Sequence, residues 1–373
     1  MKRVLRVLAI LLGCIIIFSA PAAFVFGSTT HSNLKGTETE KVQEFMNDFV
    51  KEKNFNGSVL VMHNGKVVLN EECGLADREK KLPFKKDTLY PIGSVSKSMT
   101  AIAILQLEEQ GKISTQDSLS KYFPDFPNGD KIKLHHLLNH SSGLVDYLDD
   151  VETKDWTQPY SDKEIMNLIT SKPLKSEPGE TFNYISSGYY LLGKIIEKVS
   201  GENYASYLKN HIFDKANMTH TLVMDEENMK NIEVKGYEQD SYTKNFHPSL
   251  LFAVGGVLST KEDLAAYIQA IESHKLLSES ETNKMLNPSV KSKLIGYGYG
   301  WYIANNFYSL DENLYYHGGS LPGLRTGVMR FKDQDLTIVI FNNTGYSWNY
   351  EALGKEIASI IFNKRFWFYQ KIQ

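Results

Sequence analysis

A serine followed three residues later by a lysine is the feature of this chain best suited to carry chemistry. Ser94 and Lys97 are separated by two residues, and positions i and i+3 of a helix share one face. A serine hydroxyl is a weak nucleophile unless a neighbouring base takes its proton. A lysine can be that base where burial lowers its pKa. The pattern predicts that Ser94 is a nucleophile and that Lys97 is its base or proton relay.

The residues around this pair predict a helix that shields the lysine amine from water. Residues 99–105 are apolar except for one threonine, and Gly93 permits a close backbone turn before Ser94. The start of a helix also favours developing negative charge. The S-x-x-K spacing alone is common, usually as a capping serine beside an exposed lysine. The apolar helix argues against that interpretation, because an exposed lysine would lie on a polar face.

Two further segments carry polar groups next to predicted elements. Tyr184 and Ser186 lie just before a helical pattern, and residues 317–320, His-Gly-Gly-Ser, end a strand pattern. A third segment, 134–144, contains three histidines in the helical middle of the chain. These segments supply a phenol, an imidazole and backbone amides that could face the same cleft as Ser94.

Together, these ordered motifs resemble the serine β-lactamase and penicillin-binding protein superfamily, in the branch of class C β-lactamases and D-peptidases. Residues 255–264 and 298–301 also fit the family pattern. The resemblance runs from about residue 41 to 362. Four ordered motifs at family-like separations are far more specific than any one of them. The resemblance implies a serine hydrolase that forms an acyl-enzyme.

The resemblance also implies a role for each motif residue. Ser94 would be acylated, and Tyr184 would protonate the leaving group and activate water. The backbone N–H groups of Ser94 and Ser320 would form the oxyanion hole. Whether Lys97 or Tyr184 is the acylation base stays open at this point. The family's cleft-lining strand motif is matched by His317, Gly318 and Gly319.

Two positions depart from the family pattern. Ser186 stands where the Y-x-N motif has asparagine; it can still hydrogen-bond substrate but lacks the amide's combined donor and acceptor. His317 stands where β-lactamases usually have lysine, and histidine is mostly neutral near pH 7. Both changes argue against an efficient β-lactamase and favour an esterase or a carboxypeptidase. Arg325 could replace the missing cation, or could form a salt bridge at a strand edge.

The resemblance leaves several functions open. The substrates would be D-amino-acid peptides, as for a D-alanyl carboxypeptidase, or β-lactams, or small esters. The alternative is an exported penicillin-binding module with little turnover that binds or senses cell-wall peptide; a catalytically dead scaffold is a third hypothesis. No cofactor or metal is expected. His136 and His140 have zinc-protease spacing, but the glutamate of H-E-x-x-H and a third ligand are absent.

The order of predicted elements indicates an α+β fold. An amphipathic helix and a hairpin, with its turn at Asn64-Gly65, are followed by a long helical middle, further strands and a closing helix. We therefore expect one antiparallel sheet built from both ends of the chain and flanked by helices, with a mostly helical inserted lobe. The hydrolase domain would span 41–363, with its sheet part in about 41–90 and 290–363 and its helical part in about 94–280.

The first 27 residues have the layout of a signal peptide or a membrane anchor. Lys2, Arg3 and Arg6 precede an uncharged apolar run that contains a cleavage-like site, Ala20-Pro21-Ala22. Basic residues before the run place the rest of the chain outside the cell membrane or on its outer face. Residues 28–40 would be a tether and residues 364–373 a tail.

Charge and composition limit the partners. The formal net charge is −3, and no dense basic run follows the N-terminal segment, so nucleic acid is not expected as a partner. Contact with a membrane is expected only through the N-terminal segment. We expect a monomer whose partner is a small-molecule or peptide substrate, such as a peptidoglycan stem peptide.

Overall fold

The structure is a computed structural model that describes residues 24–29, 31, 33–151, 155–238, 241–243, 246–291, 295–345 and 349–371. Residues 1–23 of the predicted export segment lie outside this part of the chain. Within it, no helix combines the length and the apolar character needed to cross a bilayer.

An eight-stranded antiparallel sheet forms the centre of the molecule. Its strands are Gly57–His63 (β1), Lys66–Cys73 (β2), Val290–Lys291 (β3), Gly296–Tyr297 (β4), Tyr302–Ala304 (β5), Leu314–Leu321 (β6), Leu324–Phe331 (β7) and Leu336–Asn342 (β8). Across the sheet they lie in the order β3-β4-β5-β6-β7-β8-β1-β2. The predicted site motif at 317–320 is therefore in β6, near the middle of the sheet.

The sheet joins the two ends of the chain. β1 pairs with β8, and Gly57 lies opposite Asn342. The β1–β2 turn has φ of 50° at Asn64 and 70° at Gly65, which is the backbone that an Asn-Gly hairpin turn prefers. The predicted α+β fold, with one antiparallel sheet built from both chain ends and flanked by helices, is confirmed.

The two faces of the sheet contribute to two different cores, because successive side chains of a strand point in opposite directions. Val59 and Val61 pack with the helices Glu38–Lys53 and Tyr350–Phe362. Leu60, between them, belongs to the larger core shared with the inserted lobe. The lobe is thereby attached to the face opposite the terminal helices.

Helices are the main regular elements of the segment between β2 and β3, as expected for the lobe. The helix Tyr147–Val151 forms in an acidic part of the segment, and its Tyr147 is fully buried; tertiary packing outweighs the low helix propensity of its aspartates. The helices of the segment are Ser96–Glu109, Leu134–Leu138, Tyr147–Val151, Asp162–Thr170, Ser187–Ser200, Tyr204–Leu208, Asp214–Ala216, Glu226–Met229, Phe252–Gly255, Lys261–Glu272 and Glu279–Leu286.

Short elements complete the described chain. One-turn helices are Gly93–Val95, Leu119–Lys121, Lys209–Phe213, Pro248–Leu250 and Phe307–Ser309. Short strands are Leu75–Asp77, Leu82–Pro83, Tyr90–Pro91, Leu222–Val223, Tyr237–Glu238, Ser241–Tyr242 and Val257–Ser259. Near the chain ends, Phe24–Thr29 pairs antiparallel with Phe366–Lys371. The domain boundaries inferred from the sequence, with the tether and the tail, stay predictions.

Candidate active site

The predicted nucleophile lies on a tight turn that leads into the buried helix. Gly93–Val95 forms a 3₁₀ turn, and the α-helix Ser96–Glu109 continues directly from it. Gly93 has φ of +53°, and a Cβ there would lie 3.1 Å from the backbone nitrogen of Ser320. Glycine is needed on both counts. The turn therefore brings Ser94 next to the end of β6.

The amine of Lys97 faces the hydroxyl of Ser94, as the spacing predicts. Lys97 Nζ lies 3.1 Å from Ser94 Oγ and donates to the backbone oxygen of Val254 at 2.7 Å. The Lys97 side chain is 1% exposed. Burial lowers the pKa of Lys97 to about 7, although the carboxylate of Asp146 acts in the opposite direction. A substantial fraction of this amine is neutral at pH 7 and can accept a proton.

A phenol lies across from the amine. Lys97 Nζ is 5.2 Å from the centroid of the Tyr184 ring. The Tyr184 hydroxyl is buried and makes no hydrogen bond of normal geometry with the described residues. Burial raises the pKa of Tyr184 well above 10, and the nearby Ser94 hydroxyl lowers it only in part. Tyr184 is therefore a neutral phenol that lies next to the Ser94 hydroxyl.

The serine, the phenol and the strand motif share one cleft of about 490 Å³. The strand motif reaches the nucleophile turn because Gly319 has no side chain: a Cβ there would lie 2.0 Å from the backbone oxygen of Ile92. The cleft is lined by Ser94, Tyr184, Tyr302, His317, Gly318, Gly319, Ser320, Arg325, Asn349 and Tyr350. The predicted site residues that line it thus come from the lobe and the sheet together.

Two predicted residues take positions that the sequence did not specify. Ser186 is buried at the start of a helix, where its backbone N–H donates to Asp146, and it is not among the cleft-lining residues. Arg325 lines the cleft, but its Nη1 donates to the backbone oxygens of Leu321 and Leu324. These two hydrogen bonds hold the Arg325 guanidinium group against a turn of the protein's own backbone.

His317 is a neutral group in this site. It is 1% exposed, and burial lowers its pKa to about 3. Both ring nitrogens are engaged within the protein, Nδ1 with the backbone oxygen of Gly318 and Nε2 with the hydroxyl of Tyr297. His317 therefore does not provide the fixed cation that a lysine would provide at this position.

Sequence reasoning missed three residues that the fold adds to the site. Asp146 acts electrostatically on Lys97, and Tyr297 contacts His317. His140, set aside from the sequence as a metal ligand, lies with its ring centroid 4.3 Å from that of Tyr184. The only sequence feature that pointed to any of these three residues was the position of His140 near two further histidines. In the described part of the chain, no group of three potential ligands is placed to hold a metal ion.

Comparisons with known proteins agree with this geometry. A model of the β-lactamase family matches residues 41–360. PbpX of Bacillus subtilis, named as a penicillin-binding protein, is 32% identical over 303 residues, 80% of this chain and 73% of that protein. Teichoic acid D-alanine hydrolase of Staphylococcus aureus is 30% identical over 288 residues, 76% of this chain and 70% of that protein.

Solved structures show the same similarity in three dimensions. The octameric penicillin-binding protein homologue from Pyrococcus abyssi matches with a TM-score of 0.77 and 30% identity. The match covers 88% of this chain and 78% of that one. All the predicted motifs fall inside the range matched by the family.

Proposed function

We propose that this chain, which belongs to the β-lactamase family and is a serine hydrolase, hydrolyses D-alanyl esters or amides. The reaction would proceed through an acyl-enzyme on Ser94. One observation carries the proposal: the Lys97 amine lies 3.1 Å from the Ser94 hydroxyl and is buried, with a pKa of about 7. A base is most effective when its pKa is near the working pH. This pair supplies a nucleophile and its proton acceptor at neutral pH.

The proposed reaction has two half-reactions. Ser94 Oγ attacks the substrate carbonyl carbon while its proton passes to the Lys97 amine, directly or through the Tyr184 hydroxyl, and the backbone amides of Ser94 and Ser320 bind the oxyanion. The leaving group departs with a proton from Tyr184. Lys97 returns a proton to Tyr184. Water then attacks the acyl-enzyme and loses its proton to the same two residues, and that proton restores the Ser94 hydroxyl as the acid is released.

Two features of the cleft support D-alanyl esters and amides whose leaving group has no carboxylate. His317 is neutral, so the strand motif offers no cation to a terminal carboxylate. Tyr302 and Tyr350 line the cleft together with Tyr184, and aromatic faces attract an ammonium group such as that of D-alanine. The similarity to teichoic acid D-alanine hydrolase points to the same kind of ester.

We propose that this activity is located at the outer face of the cell membrane. The support is residues 1–27, with three basic residues before a long apolar run, the layout of an export signal. D-alanyl esters of cell-surface polymers would be accessible there.

Labelling and turnover together test the proposed function. A fluorophosphonate probe should label the purified 28–373 fragment, Ser94→Ala should abolish labelling, and Ser171→Ala, at an exposed serine, should not. A D-alanyl ester should be hydrolysed faster than D-Ala-D-Ala peptides or a chromogenic cephalosporin. No labelling of the folded protein would contradict the proposal. A penicillin label that persists for hours, without ester turnover, would support the binding module instead.

A further inference from the structure

A chain of hydrogen bonds runs behind the cleft and connects the lobe to the sheet. The backbone N–H of Ile185 donates to His140 Nδ1 at 3.2 Å. His140 Nε2 lies 3.2 Å from the Tyr297 hydroxyl, which lies 3.2 Å from His317 Nε2. His317 Nδ1 lies 2.7 Å from the backbone oxygen of Gly318. We call His140, Tyr297 and His317 the bridge.

The two ends of the bridge determine the direction of every hydrogen bond in it. His140 Nδ1 accepts from a backbone N–H, so in the neutral ring the proton is on Nε2 and is donated to Tyr297. His317 Nδ1 faces a carbonyl oxygen, which only accepts, so its proton is on Nδ1 and its Nε2 accepts from Tyr297. Burial lowers the pKa of both histidines, so both are neutral at neutral pH and the directions are consistent.

His140 also forms hydrogen bonds with the residues on both sides of Tyr184 in the chain. The backbone N–H of Asn183 donates to the His140 backbone oxygen at 2.8 Å, and that of Ile185 donates to the His140 ring. The residues before and after Tyr184 are thus both bound to one histidine, whose ring also packs on the phenol ring. His140 has φ of +59°, an unfavourable backbone for a non-glycine residue that surrounding structure must maintain.

We propose that His140 and Tyr297 are positioning residues that set the separation between the Tyr184 phenol and the strand motif at His317-Gly318. Tyr184 belongs to the lobe and His317 to β6, so no local element fixes their distance. The bridge spans this gap with directional bonds in a buried site, where such bonds are strong and a missing partner is costly. A displacement of about 1 Å in a catalytic group can reduce rate by about 10²-fold.

This inference rests on the proposed function for its kinetic effect, and Tyr297→Phe tests that effect by removing one hydroxyl. We expect kcat for the ester, and the rate of fluorophosphonate labelling, to fall about 10–100-fold, with KM changed less than about twofold. Tyr299→Phe, at a buried tyrosine two residues along that lies outside the bridge, is the matched control and should retain its rate. A Tyr297→Phe variant with unchanged rate, or with a change in KM alone, would overturn the inference.

The tautomers of the two histidines test the bridge independently of any activity. In ¹⁵N NMR of the wild type, His140 should carry its proton on Nε2 and His317 on Nδ1, with signals assigned by their loss in His140→Gln and His317→Gln. The opposite tautomer on either residue would overturn the bridge, whether or not Tyr297→Phe folds. If Ser94→Ala still reacted with the probe, the proposed function would be wrong. The histidine tautomers would still test the bridge in that case.

Discussion

At the scale of single residues, the proposed reactivity of the site follows from the burial of one amine. Lys97 donates to Val254 and faces Ser94, but no carboxylate forms an ion pair with it among the described residues. Desolvation therefore lowers its pKa more than the more distant Asp146 raises it. The same lysine in water would be protonated at neutral pH and would be a poor base.

This balance predicts the pH dependence of the enzyme. In the proposed mechanism the neutral amine is the active form, so kcat/KM should rise with pH through about 7, the pKa of Lys97. Asp146→Asn removes the negative charge that raises this pKa, so the rise should move to lower pH. Asp125→Asn, at an exposed position, is the control. An unchanged pH profile in Asp146→Asn would contradict the electrostatic role of this carboxylate.

The contribution of the Tyr184 hydroxyl to catalysis can be measured separately from its contribution to the stability of the fold. Because this buried hydroxyl has no normal hydrogen bond, Tyr184→Phe should leave Tm unchanged or slightly higher. If the phenol transfers protons, kcat should fall by about 10²–10⁴-fold. Thermal unfolding and ester turnover of the same preparation measure both effects. If Tm and activity both fell strongly, the hydroxyl would be needed to maintain the packing around the ring. The loss of activity would then not be evidence for proton transfer.

At the scale of elements, the close approach of β6 to the nucleophile turn brings the proposed oxyanion amides into one place. Gly93 and Gly319 face each other across this contact, and a Cβ on Gly93 would lie 3.2 Å from Gly319 Cα. Side chains at either position would separate the strand from the turn. The amides of Ser94 and Ser320, which we propose bind the oxyanion, would then move apart.

Gly319→Ala tests this contact. Its new Cβ would meet the backbone oxygen of Ile92 at 2.0 Å, so the strand must shift, and we expect at least about a 10²-fold loss of acylation rate. Gly65→Ala, in the β1–β2 turn, is the control, because its Cβ would meet no neighbouring group within 4 Å. Fluorophosphonate labelling rates measure the difference. Equal rates in the two variants would show that the contact does not position the oxyanion hole.

At the scale of the whole molecule, the fold contains buried lysines that lower its free energy of unfolding. Lys97 has a pKa of about 7 and Lys355 one of about 8, both lowered chiefly by burial from an ordinary 10.5. Between these values and 10.5, the unfolded chain holds protons that the folded protein has lost. The free energy of unfolding therefore rises with pH in this window, and it is lower on the acid side.

Lys97→Met should stabilise the protein while abolishing its activity. The variant removes a buried charge, so we expect the free energy of unfolding to rise by about 1 kcal/mol or more at pH 7. Urea unfolding at pH 6.5 and pH 9 should also show a smaller gain with pH than in the wild type. Lys121→Met, at an exposed lysine, is the control. A less stable Lys97→Met protein would contradict this account of the lysine.

Much of this protein was determined by local sequence. The helix after Ser94, the Asn64-Gly65 hairpin and the apolar strands each follow from the pattern of a few consecutive residues, and the predicted α+β sheet and family membership are confirmed. The i, i+3 spacing of Ser94 and Lys97 puts both residues on one face of a continuous helical segment. These features depend on backbone periodicity and turn chemistry, which act over short distances along the chain.

The tertiary structure alone decided which distant residues complete the site. His140, Tyr297 and His317 are far apart in the chain, and their hydrogen bonds exist only because the lobe packs against the sheet. The lowered pKa of Lys97 likewise requires apolar neighbours from several elements to exclude water. Desolvation and directional bonds depend on positions in three dimensions, and these are set by the whole fold.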